Sequence, residues 1–154
     1  MNKITYLTSD TIWNLRQLPK KFLILGGGPI GCELAQAFAR FGSDVHIVEM
    51  APRLMIREDA DVSEHIQQRF TNEGITVHVG TKAKGIGRTG EMKYLLCEKD
   101  GHETRIEFDE ILLALGRKAN VKGFGLEELG VEISKRGTIE HDEFLRTNYP
   151  NIYV

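Results

Sequence analysis

Three consecutive glycines, a proline and a fourth glycine separate an apolar run from a helix-like pattern in "KKFLILGGGPIGCELAQAF", residues 20–38. The glycines Gly26, Gly28 and Gly31 make G-x-G-x-x-G. Alone the pattern is weak, because the chain holds 16 glycines. Its setting gives it meaning: a buried strand is predicted over Lys21–Leu25 and a helix over Ile30–Phe41. At such a junction the first glycine permits the tight turn. The second lets backbone approach a pyrophosphate, and the third lets the helix pack on the strand. The helix start then aims free N–H groups and its positive dipole end at the phosphates.

Leu34, Ala35, Phe38 and Phe41 fall on one face of that helix, and Gly42 ends it. "VHIVE", Val45 to Glu49, alternates as a second strand. Glu49 stands 23 positions after Gly26. An acid there accepts hydrogen bonds from both adenosine ribose hydroxyls and repels a 2′-phosphate, which favours NAD over NADP. Arg53 lies close by and could soften that preference by attracting a phosphate.

A second helix is expected from about Asp61. Asp61 and Glu64 look like a capping box, Val62, Ile66 and Phe70 repeat every four residues, and Gly74 ends the helix. "ITVHV", Ile75 to Val79, reads as a third strand. Residues 82–115 then hold short strands broken at "RTGE" and "EKDGHE", with Asp100-Gly101 as a tight turn. The predicted fold is α/β: a Rossmann-like three-layer dinucleotide-binding domain, a parallel βαβαβ sheet with an antiparallel β-meander crossover. Residues 1–20 read as an incoming arm ending near Pro19, 21–121 as the nucleotide-binding domain and 122–154 as a return segment.

The formal net charge of −2 gives no basic field for nucleic acid or an anionic membrane. "ILLAL" is the longest apolar run, too short to span a bilayer, and no signal-peptide pattern opens the chain. Cys32 and Cys97 lie 65 positions apart. They form no zinc spacing and suit a reducing cytoplasm. His46, His65, His78, His102 and His141 show no metal-binding spacing. Cys32 at a helix start is read as a packing residue rather than a redox thiol, and Cys97 as one face of a strand. Glu58, Asp59 and Asp61 are read as a solvated helix start. His46 and His78 are placed on exposed or edge strand faces, and Trp13 against the domain or a neighbour.

"LPKKFLILGGGPIGCELAQAFARFG", "PRLMIREDADVSEHI", "FDEILLALGRKAN" and "GTIEHDEFLRTNYPNIYV" together resemble the NAD-binding domain of flavoprotein disulfide reductases. That family includes dihydrolipoamide dehydrogenase, glutathione reductase and mercuric reductase, and the mercuric-reductase-like branch is the nearest in pattern. The resemblance implies that Gly26, Gly27, Gly28, Pro29, Ile30 and Gly31 form the pyrophosphate turn. It places Glu33 by the nicotinamide carboxamide, Glu49 at the adenosine ribose, Ala83 at the adenine and Gly116 near the nicotinamide half. Leu115 replaces the family's usual threonine, a change expected to affect packing rather than binding.

The family's FAD-binding glycine motif, its redox-active cysteine pair and its dimerisation domain are not in these residues. The resemblance therefore implies an excised middle domain. It would bind NAD(H) without catalysing, take FAD only through the intact enzyme, and belong to a homodimer when full length. Two alternatives stay open at this point: a free-standing nucleotide-sensing module, and a glycine loop that binds FAD itself.

Overall fold

The computed structural model describes residues 4–154; the first three positions of the arm lie outside the described residues. The chain forms two compact units, one ending at Gly116 and one spanning Arg117–Val154.

In the first unit, strands β1 (Lys21–Leu25), β2 (Asp44–Val48), β3 (Thr76–His78) and β7 (Glu110–Leu113) make one parallel sheet in the order β3-β2-β1-β7. Helices α1 (Pro29–Phe41) and α2 (Ala60–Asn72) follow β1 and β2. Strands β4 (Lys82–Thr89), β5 (Met92–Lys99) and β6 (His102–Phe108) form a separate antiparallel sheet. The βαβαβ order and the meander agree with the sequence-based expectation.

Strand periodicity explains the three layers. Phe22 and Ile24 of β1 join Val45 and Ile47 of β2 in a core that includes Cys32 and Ala35 of α1 and Phe70 of α2. Leu23, Val48 and Ile111 point the other way, into a second core with Leu95, Cys97, Ile106 and Phe108 of the antiparallel sheet. A strand buried on both faces reads as a continuous apolar run, which is what "FLIL" is. The meander turns follow their residue chemistry. Asp100 (φ 52) and Gly101 (φ 79) both take the left-handed conformation that a two-residue hairpin turn requires.

Several expectations need correction. Phe41 ends α1 but is 69% exposed, its ring edge-on to Phe38. The capping box does not form: Asp59 is the N-cap, and the Asp61 carboxylate instead accepts the N–H of Val62. Val62 is exposed and Ser63 is buried in its place, because the Ser63 hydroxyl accepts a hydrogen bond from Arg53. Trp13 is 73% exposed, so of its two expected settings the one against the domain does not hold. The arm itself is integrated: Leu7 bonds to Ile111 and Leu113 beside β7, and Ile12 is buried in the helix-side core.

The second unit holds one short helix, α3 (Leu126–Leu129), and two isolated bridges, Ile133 to Ile139 and Arg146 to Tyr153. No described helix is long and apolar enough to cross a membrane.

Candidate nucleotide-binding site

The site forms at the carboxyl ends of β1, β2 and β7. Gly26 leaves β1 at φ 115, a conformation that disfavours side chains, and any Cβ there would collide with the Ala114 carbonyl after β7. A Cβ on Gly31 would collide with the Gly26 carbonyl oxygen, so α1 reaches its place over β1 only with glycine. Gly28 is different. It is the extended N-cap of α1, and a Cβ there would meet no atom within 4 Å. Its neighbourhood is open room above bare backbone, as a phosphate cradle requires.

Pro29 occupies the first helical turn, where its missing N–H costs nothing. The first bond of α1 runs from Cys32 N–H to the Gly28 carbonyl at 2.9 Å. Among the described residues, the N–H groups of Gly28, Ile30 and Gly31 have no protein acceptor. These donors and the dipole of a 13-residue helix are what an anion would meet at this terminus.

Glu49 lies one residue beyond β2 and is held at both oxygens. Oε2 accepts Gly27 N–H at 2.6 Å and Oε1 accepts Ala51 N–H at 2.7 Å. An ionised carboxylate has about four acceptor positions, so each oxygen keeps capacity for one further donor. Its backbone is fixed as well: Glu49 N–H donates to His78 and Glu49 O accepts from Thr81 N–H. The acid is thus rigid and half-buried before any ligand arrives.

The remaining sequence-predicted residues are distributed around this centre. Glu33 is exposed on the first turns of α1, and Ile30 is half-buried. Ala83 is two residues past Thr81 on β4, packed beside the second core. Gly116, at φ 125, follows β7 with no atom near its Cβ direction. Leu115 before it is 69% exposed, so its side chain does little packing.

Two side chains resolve competing readings. Cys32 is buried and hydrogen-bonds the Gly27 carbonyl at 3.4 Å. Burial, with Glu49 and Glu33 adding negative charge, pushes its thiol up to about 12, which agrees with a packing role rather than a redox thiol. Burial pushes Cys97 up to about 11. Arg53 is also engaged. Its guanidinium donates to the carbonyls of Ile56, Glu58 and Asp59 and to Ser63 Oγ. His46 and His78 are half-buried, His78 on the edge strand β3 as one of the expected alternatives has it, with ring nitrogens 3.0 Å apart across β2 and β3. Burial, then His46 and Lys99, lowers the His78 pKa.

Sequence reasoning gave no separate role to Gly27, Ala51 or Thr81. Only Gly27 left a signal, as a third glycine at a position the motif leaves free.

The pyridine nucleotide-disulphide oxidoreductase family model matches residues 1–154. Mercuric reductase of Streptomyces lividans is 42% identical over 155 residues, covering 100% of this chain and 32% of that protein. A dihydrolipoyl dehydrogenase of Mycobacterium bovis is 38% identical over 139 residues, covering 90% of this chain and 30% of the relative. Among solved structures, the HOCl-induced flavoprotein disulfide reductase RclA from Escherichia coli superposes with a TM-score of 0.82 at 30% identity. That match covers 96% of this chain and 33% of the other. The chain spans about a third of the length of these relatives.

Proposed function

The chain belongs to the pyridine nucleotide-disulphide oxidoreductase family, and from that premise we propose that it is the NAD(H)-binding part of an FAD-dependent reductase. The observation that carries the reading is the doubly clamped Glu49 beside the open backbone at Gly28. The free N–H groups of Gly28, Ile30 and Gly31 would hold the pyrophosphate, with Gly26 and Pro29 shaping the turn. Glu49 would accept the two vicinal ribose hydroxyls with the capacity its backbone donors leave. Ala83 would border the adenine. Glu33 and Gly116 would flank the nicotinamide half.

NAD is favoured over NADP for two reasons. A 2′-phosphate would face the Glu49 carboxylate, and Arg53, four positions on, turns its Nη1 and one Nη2 donor toward Ile56, Glu58, Asp59 and Ser63 at the start of α2. Bound NADH would supply the hydride, and in the intact enzyme FAD would accept it and pass electrons to a disulfide or a metal ion. This chain's own part is to bind and orient. The mercuric-reductase-like branch, a homodimeric full-length enzyme and a cytoplasmic setting complete the proposal. The two unpaired, buried thiols fit a reducing compartment.

Calorimetric titration with NADH and NADPH tests the reading. Wild-type protein is expected to prefer NADH. Glu49→Ala should weaken NADH roughly 10- to 100-fold, since hydrogen bonds to a charged group contribute about 1.5–3 kcal/mol. It should leave NADPH unchanged or slightly tighter. A preference for NADPH in the wild type would overturn the cofactor assignment, and absence of binding by either would overturn the site.

A further inference from the structure

The segment between β2 and α2 underpins the glycine turn in a way the motif does not describe. Leu54 is fully buried in the helix-side core. A Cβ at Gly27 would stand 2.6 Å from Leu54 Cδ2 and 3.1 Å from Cβ and Cγ of Glu49. Gly27 is therefore packed between the Glu49 side chain and a core leucine that is itself fully buried. The backbone is held from the same side, because Met55 N–H donates to the Gly27 carbonyl at 2.8 Å. Met55 does so at φ 50, a left-handed conformation unusual for a residue of its bulk. Arg53 anchors this segment to Ser63 at 2.6 Å and to the carbonyls at the start of α2.

We infer that Leu54 and Met55 are positioning residues that fix the spacing between the Glu49 carboxylate and the pyrophosphate turn, making Leu54 a determinant of NADH-over-NADPH selectivity from within the core. The inference rests on the nucleotide reading above. Its logic is geometric. The Gly27 N–H orients one oxygen of Glu49, and Gly27 is itself located by the Leu54 side chain and the Met55 N–H. Shortening Leu54 loosens Gly27 and lets the carboxylate that its N–H orients rotate, while the phosphate donors Gly28, Ile30 and Gly31 stay at the start of α1. NADH then loses a preorganised diol acceptor, whereas NADPH, which that carboxylate repels, loses little. A purely structural role would weaken both nucleotides alike.

The test uses the 154-residue chain, with calorimetric affinities for both nucleotides and thermal melts as a check on folding. Leu54→Ala is expected to weaken NADH about tenfold while NADPH stays within about twofold. Leu54→Met, nearly equal in volume, should retain the wild-type ratio. Gly27→Ala should weaken NADH by about 100-fold, because its Cβ meets Leu54 and Glu49 together. In the Gly27→Ala/Leu54→Ala double variant, the vacated space should restore at least about fivefold of that loss, a non-additivity expected only of touching residues. Leu54→Val replaces the alanine variant if the latter fails to fold.

Equal losses for NADH and NADPH in a folded Leu54 variant, or additive effects in the double variant, overturn the inference and leave the nucleotide site intact. A wild-type chain that binds neither nucleotide overturns the site and this inference together.

Discussion

The unit ending at Gly116 and the segment Arg117–Val154 use apolar residues in opposite ways. In the first, sheet and helices bury Phe22, Leu23, Ile24, Val45, Ile47 and Leu112 almost completely. In the second, Phe124, Leu129, Ile133, Phe144, Leu145 and Tyr153 are all more than 40% exposed, and only Val131 is buried. The second unit is held by local turns instead, such as the Asp142 carboxylate accepting the N–H groups of Phe144 and Arg146. The difference teaches where cohesion resides. A layered unit excludes water from both faces of one sheet, whereas fewer than about 40 residues with one four-residue helix cannot. The apolar side chains of the second unit are accordingly left largely uncovered.

The largest expected effect breaks the comparison at its glycines. Gly31→Ala drives a Cβ into the Gly26 carbonyl and should destabilise the first unit by about 3 kcal/mol or more. Gly137→Ala in the second unit meets no atom and carries only the strain of φ 78, about 1–2 kcal/mol locally. Urea denaturation monitored by far-UV circular dichroism measures both. A mild Gly31→Ala would mean that α1 does not need its close approach to β1.

The core contrast comes next. Leu23→Ala should cost about 2–5 kcal/mol, because a fully buried leucine leaves a cavity between two sheets. Leu129→Ala, at a side chain 49% exposed, should stay within about 0.5 kcal/mol in the same assay. Equal effects would show that the second unit is as tightly packed as the first.

The smallest effect is electrostatic. Glu73 joins α2 to α1 through Arg40 and Gln36 and also accepts from Arg69 of its own helix. Its hydrogen bond with Arg40, followed by those from Arg69 and Gln36, holds its carboxyl down to about 2, against 4.5 for the free group. Between those values the unfolded chain binds the extra proton, so stability from Glu73 is complete above about pH 4.5. It is lost as pH falls toward 2. Glu73→Gln should lower the melting temperature near neutrality and flatten its fall across that acid window. Asp142, also held below its ordinary value, first by the Arg146 backbone, bonds only within its own turn. Asp142→Asn should move the melting curve less. The reverse ranking would place the acid-sensitive link in the second unit.

Much of the first unit was legible because its signals are local. "FLIL" before glycines, the spacing of Leu34, Ala35 and Phe38, and Asp100-Gly101 each state a backbone preference that tertiary packing then accepted. Phe41 and Val62 misled for one shared reason: a helical period marks a face but not how far the neighbouring layer extends over it. The bulk of the candidate site was readable from Gly26, Gly28, Gly31 and Glu49, since each has a steric or charge role that spacing alone implies. The partners of Arg53 were not legible, because three carbonyls and a serine hydroxyl have no sequence signature.

By itself the sequence determined the βαβαβ order, the glycine turn and the acid after β2, because bond rotation, helix capping and side-chain alternation act over a few residues. Only the tertiary structure decided that β7 returns beside β1 to press Ala114 against Gly26. It alone set the Gly27 clamp on Glu49 and brought Leu54 up beneath Gly27. Those contacts join residues tens of positions apart, and their distances follow from how whole layers pack.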